Sequence, residues 1–182
     1  MHRIPWLAVA FSLLTWLGSS VFLIPLGIVV AFLMWQTHGT LRPTLDLALA
    51  IGGAVAFYDG IKPVVGRMRP DAALQYGGPD TDFAFPSGHA TQSASLYAML
   101  VVVLSTWMWP RRRVLLSLLA ASIVAIVAVA RIYLGVHWLT DVLGGLALGL
   151  GWFSVLMVFR AGASSPSVSG SPSRPSGRTA PA

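Results

Sequence analysis

Residues 114–134 run for 21 positions with Arg131 as the only formal charge. About 20 residues at 1.5 Å each cross the hydrocarbon core of a bilayer. A backbone in that medium has no water to bond, so its N–H and C=O groups must pair internally, which a helix does within one segment. The same reading applies to residues 21–35, with Pro25 near the outer end, to residues 44–61, to about 88–109 and to 138–159. The expected fold class is all-α: a polytopic membrane helical bundle of five clear transmembrane helices plus a short amino-terminal apolar helix. Composition agrees. Hydrophobic residues make up 55% and charged residues 10% of the chain, and the mean hydropathy is +0.74, outside the range of soluble globular domains.

Residues 4–17 are apolar but short for a span. They read first as a helix lying in the outer interface and second as a thin first span. A signal peptide comes last, because no Ala-x-Ala-like site follows Gly18-Ser19-Ser20. From Arg160 on, the chain is Ser, Pro, Gly and Arg with almost no apolar residue. The expected organisation is a membrane-embedded domain over 1–160 and a disordered cytoplasmic tail over 161–182.

Twelve Lys and Arg stand against six acids, all Asp, for a net charge of +6. In a soluble protein that balance would suggest nucleic acid. Here the basic residues fall at loop ends and in three motifs, so no nucleic-acid partner is expected. The chain has no cysteine, which excludes disulfides, thiolate nucleophiles and Cys-based zinc sites. Arg42, the run Arg111-Arg112-Arg113, and Arg160, Arg174 and Arg178 fall on one side of the expected bundle. Lys62, Arg67, Arg69 and Arg131 fall on the other. The positive-inside rule puts the seven in the cytoplasm and the four outside, with the active face in the plasma or inner membrane turned outward.

Those four lie in or beside three stretches: Lys62-Pro-Val-Val-Gly-Arg-Met-Arg69-Pro70, then Pro86-Ser87-Gly88-His89, then Arg131-Ile-Tyr-Leu-Gly-Val-His137-Trp-Leu-Thr-Asp141. Ionisable residues near a bilayer are expensive and mark functional sites. Fixed cations, two histidines and a carboxylate four residues after the second histidine can together grip a phosphoryl group, attack it and protonate what leaves.

At these motifs the chain resembles the type-2 phosphatidic acid phosphatase family, whose fold and site are shared with vanadium haloperoxidases. The family pattern is Lys-x6-Arg-Pro, Pro-Ser-Gly-His and Ser-Arg-x5-His-x3-Asp. The first two match in full; in the third, Ala130 stands where the family has Ser. The match spans residues 62–141, under half the chain. Family members usually have six membrane helices, so the resemblance implies that residues 4–17 replace the first or that it is missing.

The resemblance implies a role for each matched residue. His137 is the expected nucleophile, since a neutral imidazole attacks phosphorus near neutral pH. Asp141, at i+4 and on the same face if both are helical, would hold the ring N–H. His89 is the expected general acid. Lys62, Arg69 and Arg131 would bind the phosphoryl oxygens, the arginines through their planar forks. Ser87 and Gly88 open a helix whose amides and dipole favour an anion. No cofactor or metal is expected: Asp71, Asp80 and Asp82 are irregularly spaced in a polar loop and read as solvated. Arg67 matches no family position and reads as solvated or facing headgroups. Asp59 reads as a partner for Lys62 or Arg69. Gly145-x3-Gly149 is a close-packing pattern, weak as a sign of homo-oligomerisation.

The expected protein is an integral membrane lipid phosphatase without metal, acting through a phosphohistidine intermediate in contact with membrane lipids. Its candidate substrates are phosphatidic acid, phosphatidylglycerol phosphate and undecaprenyl diphosphate. The runner-up is a non-catalytic protein that keeps the site to bind anionic lipid, which would need cations but no nucleophile. A soluble haloperoxidase is opposed by the hydropathy, and a transporter by the absence of an evident inverted repeat.

Overall fold

Prolines and glycines punctuate the helices of the computed structural model, which describes residues 4–77 and 81–162. Helix α1 (Pro5–Leu14) starts on a proline and runs into a 3-10 turn at Thr15–Gly18. Helix α2 (Ser20–His38) is capped by Ser19, whose hydroxyl accepts from Phe22 N–H, and stops at Gly39. Helix α3 (Arg42–Val65) stops at Gly66. Both glycines are left-handed, at φ 63° and 60°, a conformation a Cβ disfavours. Helices α4 (Gly88–Ser105), α5 (Pro110–Tyr133) and α6 (Leu139–Gly162) complete the bundle. All described regular structure is helical, as expected.

The observed helices exceed the expected spans at several ends. Pro63 lies in the last turn of α3, so the helix carries Lys62 inside it instead of ending before it. Pro110 sits at the start of α5, where its missing N–H costs nothing, so Arg111–Arg113 begin a helix and are not a turn tip. Residues 163–182, where the tail was expected, lie outside the described residues.

Among the described residues four helices are long and apolar enough to cross a membrane: α2, α3, α5 and α6. Five clear spans were expected, and α4 is the difference. Its first turns carry His89, Thr91, Gln92, Ser93 and Ser95, too polar for a lipid-facing helix. It has no need to face lipid, because none of its residues is exposed and α2, α3, α5 and α6 all pack against it. Its polar groups bond within the protein. Ser93 donates to His89 C=O at 2.5 Å, Ser95 to Ala50 C=O at 2.8 Å, and Gln92 Nε2 to Gly18 C=O at 2.6 Å. Its later turns, with Leu96, Met99, Leu100 and Val103, supply the apolar core.

Close packing against α4 uses the small residues of α6. A Cβ on Gly145 would meet Ser87 O at 2.7 Å, and one on Gly149 would meet Thr91 O at 2.2 Å. In lipid, helices associate through such close backbone approach and not through burial from water. The Gly145-x3-Gly149 pattern is thus used within the chain.

At ten residues α1 is about 15 Å long, half a bilayer core. It packs on α5 at the end where α5 delivers Arg131: Phe11 and Tyr133 rings lie 5.0 Å apart, and Ile4 N–H donates to Tyr133 Oη at 3.2 Å. Helices α2 to α6 then alternate in direction. The start of α2, the end of α3, the start of α4, the end of α5 and the start of α6 gather at one end of the bundle. The motifs arrive there together.

Candidate active site

Lys62, Arg69, Gly88, His89, Arg131 and His137 line one cavity of about 310 Å³ at that end, joined by Ser20, Tyr58, Asp59, Asp82 and Gln92. Three elements deliver cations: Lys62 from the last turn of α3, Arg131 from the last turn of α5, and Arg69 from the loop after Gly66. Lys62 and Arg131 are buried at 8% exposure each. The Tyr58 ring walls the cradle, with Lys62 Nζ 5.6 Å from its centroid. A Cβ on Gly88 would stand 3.0 Å from that ring, so any larger residue there would push the Tyr58 side chain back.

His137 is buried in the loop just before α6. Its Nε2 lies 3.3 Å from Arg69 Nη1, and Arg69 also donates to Val136 C=O at 2.8 Å. An Nε2 that accepts from a guanidinium carries the lone pair, which places the ring proton on Nδ1. That Nδ1 faces Asp141 Oδ2 at 3.7 Å, an ion-pair distance and not a hydrogen bond. Burial pushes the His137 pKa down; Asp141 opposes this, and Arg131 and Arg69 add to it, leaving it below the ordinary value of 6.5. The ring is therefore neutral at pH 7, as a nitrogen nucleophile requires.

The expected route by which Asp141 meets His137 needs correction. They do not share a helix face, because α6 begins at Leu139 and His137 precedes it. Asp141 sits in the first turn and reaches back to accept Trp138 N–H at 2.8 Å, half of a capping box. The cap folds the chain so that His137 lies over the same carboxylate. Asp141 is fully buried and lies behind the nucleophile, outside the cavity.

Ser87 also departs from expectation. Its N–H donates to Asp141 C=O at 3.0 Å, fixing the start of α4 to the start of α6, and it does not line the cavity. The amides that begin at Gly88 are the ones a helix leaves without an internal acceptor.

Two site residues were missed. Arg67 Nη1 lies 3.0 Å from Asp141 Oδ1 and donates to Thr140 Oγ1 at 2.5 Å. Trp138 Nε1 donates to Met68 C=O at 3.1 Å. The first motif is thereby clasped to the third, and Arg67 compensates the buried carboxylate. Asp82, expected to be solvated, bridges Lys62 Nζ and Arg69 Nη2 with its two oxygens, and its carbonyl accepts from Arg69 Nε at 2.9 Å. Burial alone would raise its pKa, but hydrogen bonds from Lys62 and Arg69 hold it below the usual carboxylate range. Asp59, expected to pair with those cations, lines the cavity, and the ion pairs go to Asp82. No sequence pattern marked either pairing, since both join positions whose proximity only the closed loop creates.

Asp71 accepts Ala73 N–H at 2.9 Å, and Asp80 lies outside the described residues. Among the described residues no three His or Asp side chains converge in a way that could hold a metal ion.

The PAP2 superfamily pattern matches residues 43–164. Phosphatidylglycerophosphatase B of Bacillus subtilis is 33% identical over 159 residues, covering 86% of this chain and 77% of the relative. An undecaprenyl-diphosphatase of Sulfolobus acidocaldarius is 29% identical, covering 78% and 68%. Among solved structures, a transmembrane PAP2-type phosphatidylglycerolphosphate phosphatase from Bacillus subtilis superposes with a TM-score of 0.82 at 31% identity, covering 88% of this chain and 79% of that one.

Proposed function

The chain belongs to the PAP2 superfamily, and from that premise we propose that it hydrolyses the terminal phosphate of a membrane lipid through a phosphohistidine on His137. The observation that carries this reading is the 3.3 Å between His137 Nε2 and Arg69 Nη1 inside a cavity shared with Lys62, Arg131 and His89. A phosphoryl oxygen held on Arg69 sets phosphorus beside the nucleophile's lone pair.

The steps balance with these residues alone. The Nε2 pair forms a bond to phosphorus while the bond to the leaving oxygen breaks, and His89 gives that oxygen a proton. Lys62, Arg69, Arg131 and the Gly88 amide stabilise the charge on the equatorial oxygens. The phosphorylated ring is cationic, its N–H turned to Asp141. Water, deprotonated by His89, then attacks phosphorus; the P–N bond returns its pair to the ring and orthophosphate leaves.

The substrate proposed first is phosphatidylglycerol phosphate, supported by similarity to the Bacillus relative; phosphatidic acid and undecaprenyl diphosphate follow. Helix α4 crosses the bilayer inside the ring of other helices, α1 lies in the outer interface, and the site opens on the outer face of the cell membrane. Supporting that orientation, Arg42, Arg111–Arg113 and Arg160 all lie at the end away from the site.

One experiment tests substrate, metal and orientation together. Short-chain forms of the three lipids, each unable to cross the membrane, are given with EDTA to intact cells carrying the protein and to inside-out vesicles. Orthophosphate release by intact cells is expected, fastest from the phosphatidylglycerol phosphate analogue. Release only from vesicles would invert the orientation, and loss in EDTA that magnesium restores would overturn the metal-free mechanism.

A further inference from the structure

We propose that Asp82 is a built-in competitor for the phosphate cradle, setting a charge threshold that admits a terminal phosphate and excludes the phosphodiester headgroups around it. The proposal rests on the phosphatase reading and adds a residue that decides specificity. One Asp82 oxygen sits on Lys62 Nζ and the other on Arg69 Nη2, the bidentate arrangement that two oxygens of a phosphoryl group would adopt on the same cations. Asp82 is thus an anion in the anion site.

Its exposure shows that it can be exchanged. The Asp82 side chain is 51% exposed, whereas those of Lys62 and Arg69 are 11% and 7% exposed. The cations are fixed in the wall and the carboxylate reaches them from the solvent side. Rotation about its own Cα–Cβ bond turns it into water, while its carbonyl keeps hold of Arg69 Nε. Charged groups cost little to return to water.

The exchange then turns on charge. A phosphodiester headgroup carries one negative charge, and so does the carboxylate it would replace. Swapping one for the other gains no net attraction to Lys62 and Arg69, and the headgroup must still be desolvated. A phosphate monoester is largely dianionic at neutral pH. It brings a second charge and a third oxygen, which Arg131 in the same cavity can receive. A protein embedded in diester lipids at far higher concentration than its substrate needs such discrimination, and the cations alone do not supply it.

The test measures binding separately from turnover. Purified wild type, Asp82→Asn and Asp82→Glu are titrated with inorganic phosphate and with glycerophosphoglycerol, a soluble phosphodiester headgroup, by calorimetry. Their hydrolysis of a short-chain phosphatidylglycerol phosphate is followed alongside. Asp82→Asn is expected to bind inorganic phosphate about 3- to 10-fold more tightly, the gain from removing an exposed competing charge. It is also expected to be inhibited by glycerophosphoglycerol at concentrations that leave wild type unaffected. Asp82→Glu keeps the charge and is expected to keep the diester excluded and to lack the tighter phosphate binding of Asp82→Asn. Weaker or unchanged phosphate binding in Asp82→Asn, with the diester still excluded, would overturn the competitor role. A wild type that neither binds phosphate nor hydrolyses the lipid would instead sink the phosphatase reading.

Discussion

Both ends of the bundle carry arginines and aspartates, yet the two ends use them differently. Away from the site, Asp46 of α3 pairs with Arg160 of α6, and Arg42 donates to the Arg160 carbonyl at 3.0 Å. Among the described residues the ion pair there joins Asp46 to Arg160, and the further arginines, Arg111–Arg113, stand exposed on the first turn of α5. At the site end, Lys62, Arg69 and Arg131 converge on one cavity. Each paired carboxylate there also serves more than one partner: Asp82 holds Lys62 and Arg69, and Asp141 meets Arg67, His137 and the Trp138 amide. Charge at one end joins helices. At the other it is concentrated where a second anion can reach it.

The strongest way to break this contrast is to remove the nucleophile. His137→Ala is expected to abolish phosphoenzyme formation, because it removes the imidazole lone pair that faces the Arg69 guanidinium. His89→Ala should slow cleavage by about 10²–10⁴-fold, with a smaller defect for leaving groups of low pKa such as p-nitrophenol. Rapid quench with a ³²P-labelled lipid phosphate reads both. An acid-labile, base-stable phosphoenzyme in His137→Ala would transfer the nucleophile's role to His89.

Asp141→Asn is expected to have a smaller effect, on the order of 10²-fold in kcat. That is less than for a hydrogen-bonded triad aspartate, since 3.7 Å is outside hydrogen-bond range. Its pH dependence is the sharper readout. Asp141 raises the His137 pKa against the lowering by burial and by Arg131 and Arg69. Removing the carboxylate therefore lowers that pKa further, and the acid limb of the kcat profile should move to lower pH. A limb that stays fixed, or moves up, would show that Asp141 acts only through the cap at Trp138.

The contrast between the ends also explains what could be read from the chain. Lys62, Arg69, His89, Arg131 and His137 were legible because their spacing follows from one chemistry. All but Arg69 sit within a turn of a helix end that the apolar runs already located. Arg67 and Asp82 were not legible. Their partners lie on other segments, 74 and 20 positions away in the cases of Asp141 and Lys62, and a polar loop looks solvated until its closure is known. Helix α4 was legible as a helix but not as the enclosed one, since enclosure depends on neighbours and hydropathy reads only the segment itself. The route from Asp141 to His137 was misread because a two-residue difference in where α6 begins replaces a helix face with a cap.

The smallest expected effect on activity belongs to the opposite end. Asp46→Asn removes a carboxylate that joins α3 to Arg160 of α6, whose side chain is only 24% exposed. The protein in detergent is expected to lose stability on the order of 1 kcal/mol, the range for losing one hydrogen-bonded contact of a partly buried polar pair. Thermal unfolding followed by tryptophan fluorescence would show it as a lower midpoint. Hydrolysis below that midpoint should stay within about twofold of wild type. Asp46 and Lys62 are 16 residues apart on α3, about 24 Å at 1.5 Å per residue. At that distance the Coulomb interaction of a partly buried charge with the cavity is already small. A shift of α3 against α6 is the direct mechanical route to the cavity, and Trp152 opposes it by filling the space left at Gly53 and donating to Leu49 C=O at 2.9 Å. A variant with an unchanged midpoint and a large loss of turnover would mean that the two ends are coupled through α3, and the division of labour between them would fail.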